Sequence, residues 1–319
     1  MMAEIAKYLY KLTHLTRAPT KFGKAPHKPI LLITLLELMD RGHVIDGRFA
    51  PDTELVGIFQ ENWRLLVTTA NQPDFTQPFY YLQSEKVEGE SMWHLVAQPG
   101  CQINAHISSI LTLVRVVDYG CFCEPLRIYL ADAANRTAVK QLLIETYFPD
   151  KASAFGIHKQ HREGFFHDLE SWVLNTPAAK KRTIKIETEE DVYVRSGLFR
   201  RLVPQVYDQT CCVTGMHLGS TFGHSFVDAC HIVPFSVSHD DRVTNGLALC
   251  PNIHRAFDRG LVAISDEYSV LLSPHVRENT DHTYSLKRFE HQQIKLPENK
   301  YAWPDKEMLA WHRTNLFRA

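Results

Sequence analysis

Residues 228–260, "DACHIVPFSVSHDDRVTNGLALCPNIHRAFDRG", constrain the fold more than any other part of the chain. A run rich in β-branched and apolar residues surrounds His231 and reads as a strand. A polar loop follows and leads through "NGLALC" to "PNIHRAFDRGL", a short helix with Pro251 at its start and Gly260 just past its end. Strand, loop and helix in that order carry three polar side chains, His231, Asn245 and His254, at separations of 14 and 9 residues. A lone histidine in an apolar strand is usually a satisfied core group. Three such side chains on successive elements are expected to converge on one small region.

The elements "CVTG", "ACHIVPFS", "TNGLALC" and "HRAFDRGL" occur in the order found in the HNH endonucleases, and residues 192–275 resemble that family. The resemblance implies a ββα-metal fold and phosphodiester hydrolysis. That chemistry needs an activated water and a group that stabilises charge on the phosphorane. On this reading His231 is the general base, since a neutral imidazole can take the water's proton near neutral pH. His254 is the protein ligand of a divalent cation, which polarises the phosphoryl oxygen and helps the 3′-oxygen depart. Asn245 bridges the loop through its amide and fixes the strand of His231.

The chain departs from the family at Cys230, where many members carry an aspartate that ligates the metal. Two carboxylates can substitute. Asp258 lies four residues after His254, on the same helix face. Asp228 lies three residues before His231, so on an ideal strand it points to the opposite face and needs a bulge to help. Asp258 is the preferred ligand of the two, with a helix-end ion pair to Arg255 or Arg259 as its bland alternative. Mg²⁺ or Mn²⁺ is the expected ion; a thiol nearby also admits Zn²⁺, Ni²⁺ or Co²⁺. No structural zinc is expected, because neither Cys121/Cys123 nor Cys211/Cys212 has ribbon spacing. Arg255 and Arg259 are expected to clamp phosphates.

The first half has another rhythm. Residues 4–16 carry Ile5, Tyr8, Leu9, Leu12 and Leu15 at helical spacing, "ILLITLLELMDRG" reads as a buried helix, and residues 52–66 and 125–147 read as two more. Phe79–Leu82 and Met92–Ala97 are expected strands. Residues 177–191, "PAAKKRTIKIETEED", are polar and charged and read as a tether, with Lys180–Arg182 able to touch a phosphate backbone. The expected organisation is therefore a domain over 1–178, a linker over 179–191 and a nuclease domain over 192–319. Its class is α+β, a mainly helical N-terminal domain with a small sheet and a C-terminal ββα-metal domain.

"KAPHKPILLITLLELMDRG", "FQENWRLL" and "QPFYYL…MWHLV" are similar to the sulfur-recognising domains of McrA-type modification-dependent restriction enzymes, over residues 5–150. In that family the domain precedes an HNH unit and reads a phosphorothioate, in a shallow apolar pocket edged by basic groups. The resemblance implies His27 and Lys28 as cationic contacts and Pro78 as pocket wall, with Tyr81 beside it. Gln77 stands where the family often has an aromatic residue, which makes the pocket more polar and admits a methylated or otherwise decorated base as ligand.

With 45% hydrophobic and 22% charged residues, no long uninterrupted apolar run and a charged N-terminus, a cytoplasmic protein without a membrane span is expected. A net charge of −1 excludes a non-specific nucleic-acid coat and leaves room for a local basic groove. The expected activity is a restriction endonuclease serving phage defence, acting on modified double-stranded DNA. A homodimer would suit cleavage of both strands. The competing readings are an HNH restriction enzyme that reads unmodified sequence and a non-catalytic DNA-binding protein on an HNH scaffold.

Overall fold

The computed structural model describes residues 2–44, 46–104, 107–160, 164–176, 188–218, 225–279 and 285–319. Among these, one compact unit takes residues 2–168 and 188–194, and a second takes 169–176 and 195–319. The region expected to be a tether lies largely outside the described residues, including Lys180–Arg182. Its last residues, 188–191, open a helix.

The first unit is mostly helical. Its order is α1 (Met2–Thr13), the two-residue strands β1 (Pro19–Thr20) and β2 (Gly23–Lys24), α2 (His27–Asp40), β3 (Arg48–Phe49), α3 (Thr53–Leu66) and α4 (Thr76–Tyr81). Then come β4 (Lys86–Val87), β5 (Glu90–Ser91), β6 (Trp93–Ala97), α5 (Ile110–Val116), β7 (Val117–Phe122), α6 (Glu124–Leu130), α7 (Ala133–Tyr147), α8 (Ala152–Gln160) and the start of α9 (Phe165–Val173). α2 is apolar all round because it is the central helix: every residue from Pro29 to Leu38 is buried, with α3, α4 and α7 packed about it. Its two buried polar groups are satisfied locally, Thr34 by Ile30 O at 2.8 Å and Glu37 by Asn62 Nδ2 at 3.1 Å. β3, β7 and β6 form an antiparallel sheet in that order. Trp93 lies fully buried against Gly120, where a Cβ would stand 2.0 Å from the indole.

Two sequence expectations change here. "PFYYL" is helical, not a strand: α4 ends at Tyr81, and the Asp74 carboxylate accepts from Gln77 N at 3.1 Å to start it. The single helix expected over 125–147 is two, because Asp132 caps α7 through Ala134 N and Asn135 N. "CCVTG" is a turn closed by Gly215 N on Cys211 O at 2.9 Å, with Gly215 at φ +70°.

The second unit contains the end of α9, most of α10 (Glu189–Val206), β8 (Asp228–His231), α11 (Phe235–Ser238), β9 (Gly246–Leu249), α12 (Pro251–Asp258), the hairpin β10 (Val262–Ile264) and β11 (Val270–Leu272), and α13 (Lys306–Asn315). β8 and β9 pair antiparallel without a bulge, setting Cys230 opposite Leu247 and His231 opposite Gly246. α12 packs on that pair. The order strand–strand–helix, with Asn245 just before the second strand, frames the site.

Candidate active site

Asn245 is fully buried and spends its whole amide on the connection between β8 and β9. Its Oδ1 accepts from Val233 N at 2.9 Å, and its Nδ2 donates to Val233 O at 3.0 Å, Asp240 O at 2.9 Å and Ser238 Oγ at 3.2 Å. Its backbone carbonyl also accepts from Ile232 N at 2.9 Å. The side chain therefore pins both ends of the loop and touches no reacting group.

Side chains alternate along β8, so Asp228 and Cys230 share one face and His231 takes the other. The face of Asp228 and Cys230 meets α12. There His254 Nδ1 lies 3.1 Å from Asp228 Oδ2, and His254 Nε2 lies 3.5 Å from Asp258 Oδ2. Cys230 Sγ donates to Asp258 Oδ1 at 3.7 Å. Cys230, His254 and Asp258 each offer a donor atom within 4.8 Å of the others, and a metal ion could be held there. Donors around one tetrahedral ion at about 2.0–2.2 Å stand roughly 3.4 Å apart, which the His254–Asp258 separation matches.

The donor set fits a divalent ion. An ionised carboxylate only accepts, so Asp228 fixes a hydrogen on Nδ1 of His254 and turns the Nε2 lone pair toward Asp258. Asp228 thus reaches the cluster from its own strand face with no bulge, as the residue that orients the histidine. Burial pushes the Cys230 thiol well above its ordinary range, and the Asp258 carboxylate adds to the effect. Arg255 and Arg259 are exposed on α12 and its C-terminus.

His231 sits elsewhere than beside His254. Its ring stacks flat on Phe199, centroids 3.9 Å apart and planes 7° apart, and its Nε2 lies 2.8 Å from Asp241 Oδ1. Asp241 is buried, and its second oxygen accepts from Arg195 Nε at 2.8 Å. The Arg195 guanidinium in turn lies 4.5 Å from the centre of the Phe235 ring. Arg195 and Phe199 are four residues apart and so share a face of α10. Gly246, opposite His231, leaves the room they need: a Cβ there would be 2.6 Å from Val203 Cγ2 and 3.1 Å from Phe199 Cε2. No motif marks Asp241, one of two carboxylates in a polar loop. The i, i+4 pair Arg195/Phe199 was a usable signal.

In the first unit, His27, Lys28, Pro78 and Tyr81 line one cavity of about 760 Å³, together with Gln77 and Arg17. The structure brings these expected residues together and revises their charges. Lys28 Nζ is ion-paired with the buried Glu85 and lies 3.0 Å from Ser84 Oγ. Glu85 also pairs with Lys11 at 2.7 Å and accepts from Thr16 N at 3.1 Å. His27 Nε2 donates to Gln72 O at 2.9 Å, and burial lowers the imidazole pKa, so the neutral ring is favoured. Arg17, whose guanidinium lies 4.7 Å from the centre of the Tyr147 ring, adds a cation that no motif in the sequence marks.

Residues 211–265 match the model of a family described as "HNH endonuclease". The type IV methyl-directed restriction enzyme EcoKMcrA of Escherichia coli (strain K12) is 27% identical over 84 residues, 26% of this chain and 30% of that protein. A solved structure of the modification-dependent TagI restriction endonuclease aligns over 37% of each chain at 23% identity, with a TM-score of 0.28. The chain thus spans about a third of the length of either relative. The segment 211–265, with its plausible metal-coordinating cluster, is an HNH nuclease domain.

Proposed function

We propose that the protein is a modification-dependent DNA endonuclease, in which residues 1–178 sense modified duplex and residues 192–319 hydrolyse a nearby phosphodiester. The observation that carries this reading is the convergence of Cys230, His254 and Asp258 on the strand–helix unit of the HNH domain. The 760 Å³ cavity supports the sensing half, since it gathers Pro78, Tyr81, His27 and Lys28 in one place.

In the nuclease half, His231 accepts the proton of the attacking water. His254 and Asp258, with the Cys230 sulfur beside them, would hold the divalent ion, and Asp228 orients His254. A cation bound there supplies Lewis acidity to a phosphoryl oxygen and eases departure of the 3′-oxygen. Arg255 and Arg259 draw in phosphates from the exposed side of α12.

In the sensing half, an apolar wall with paired cations suits a polarisable, weakly hydrated sulfur better than a phosphate oxygen. A phosphorothioate is accordingly the proposed ligand. Gln77 at the same cavity favours a second reading, a methylated or otherwise decorated base.

The test is cleavage of plain, phosphorothioated and base-methylated duplexes of one sequence by the full chain with Mg²⁺ or Mn²⁺. Preferential cutting of the phosphorothioated duplex is expected. Preference for the methylated duplex selects the second reading, and equal cutting of all three removes the sensor. The His231→Ala variant is expected to lose cleavage by about 10²-fold or more, and retained cleavage would reject His231 as base.

A further inference from the structure

We infer that Asp241, anchored by Arg195, is the positioning residue that selects the reactive nitrogen of His231. The inference rests on the proposed role of His231 and adds which atom acts and what holds it.

Two motions of an imidazole at a strand end have to be stopped for it to serve as a base. Tilting is stopped by the flat stack on Phe199 at 3.9 Å and 7°. Rotation about the Cβ–Cγ bond is stopped by the 2.8 Å hydrogen bond from Nε2 to Asp241. Asp241 is itself immobilised, because it is 2% exposed and its other oxygen is held by Arg195 Nε at 2.8 Å. A carboxylate that already accepts from a guanidinium can only accept from the imidazole as well, so Nε2 carries the hydrogen. The lone pair of the neutral ring is then on Nδ1, and Nδ1 is the atom that takes the water's proton. Arg195, Phe199 and His231 belong to a single compact unit, so the arrangement is complete within it.

The chain supplies this device from three places: the polar loop after α11 gives Asp241, α10 gives Arg195 and Phe199, and β8 gives His231. An asparagine at 241 could present either its oxygen or its NH₂ to Nε2. The second option moves the hydrogen to Nδ1 and removes the base while leaving shape and burial intact.

The test joins a spectroscopic readout to kinetics on the full chain. Long-range ¹H–¹⁵N spectra of the histidine rings, with His231 identified by its loss in His231→Gln, are expected to show the Nε2–H tautomer in the wild type. Asp241→Asn should shift that population toward Nδ1–H, and kcat should fall about 10²-fold or more with KM within about twofold. Asp241→Glu, which keeps an acceptor, should recover part of the loss. If Asp241→Asn does not fold, Arg195→Gln replaces it, with a smaller loss in kcat and the Nε2–H tautomer more weakly populated. An Nδ1–H tautomer in the wild type, or wild-type kcat in a folded Asp241→Asn, overturns the inference and leaves the nuclease reading standing. Undiminished cleavage by His231→Ala instead overturns the role of His231, whatever its tautomer.

Discussion

Asn245 shows how one buried amide can govern a site it does not touch. Replacing it by Ala would strand Val233 N and Asp240 O in a buried loop, while Val233 O keeps the Ser238 hydroxyl at 3.3 Å. Each orphaned buried group costs about 1–3 kcal/mol, so Asn245→Ala should lose on the order of 3 kcal/mol, read as a lower urea midpoint. Its loss of cleavage should track its loss of fold, unlike that of His231→Ala. Cys230 belongs to the same scale. On the proposed reading, its sulfur beside a histidine and a carboxylate would admit Zn²⁺, Ni²⁺ or Co²⁺ as well as the expected Mg²⁺ or Mn²⁺. Cys230→Ala should weaken Co²⁺ binding about tenfold and abolish the sulfur-to-cobalt absorption band, with Mg²⁺ binding unchanged in calorimetry. The residue types of the motif stand out by their separations, but those separations do not show that His231 turns to the face of β8 away from His254. Asp241 is not legible, since its partner lies ten positions back and only the closed loop brings them together.

At the scale of elements, Gly246 decides how closely α10 can approach β8. The Cβ of Gly246→Ala would meet Val203 Cγ2 at 2.6 Å and push Phe199 off the His231 ring. Overpacking of this kind costs about 1–3 kcal/mol, so the variant should melt earlier and cleave more slowly even where it remains folded. The helices with capped starts or long apolar runs, such as α2 and α3, were readable directly. α4 was not: Phe79, Tyr80 and Tyr81 favour a strand by propensity, yet Phe79 is buried against Phe75 and Trp93 only as part of a helix. Tertiary packing overrode local preference there. The place of Asp228 is illegible for a related reason. Strand alternation was read relative to His231, whereas the cluster forms on the face that His231 does not share.

Across the whole molecule, the first unit carries its own response to acid. Burial alone would raise the carboxyls of Glu37 and Glu85, but the hydrogen bonds and charges of Lys159 and Arg41, and of Lys11 and Lys28, hold both below their ordinary value of 4.5. Their contribution to stability is present above that value and is lost as pH falls through the lower folded value. His27, lowered by burial from 6.5, acts earlier. Below pH 6.5 the unfolded chain takes up a proton that the folded chain resists, so stability declines there and is unaffected above. Unfolding midpoints in urea should therefore fall in two stages beneath pH 6.5. His27→Gln should shrink the first stage, which His312, likewise lowered from 6.5 by burial, shares, and leave the second.

The pairing of Glu85 with Lys28 and Lys11 has a further consequence for how DNA would be read. A cavity whose lysine is already neutralised from within displaces few counterions when a ligand enters it. Recognition there should be nearly indifferent to ionic strength, while general attraction to the phosphate backbone weakens steeply as salt rises. On the proposed reading, the ratio of modified to plain duplex bound should therefore grow as salt is added, so that discrimination improves under the very conditions that loosen the grip.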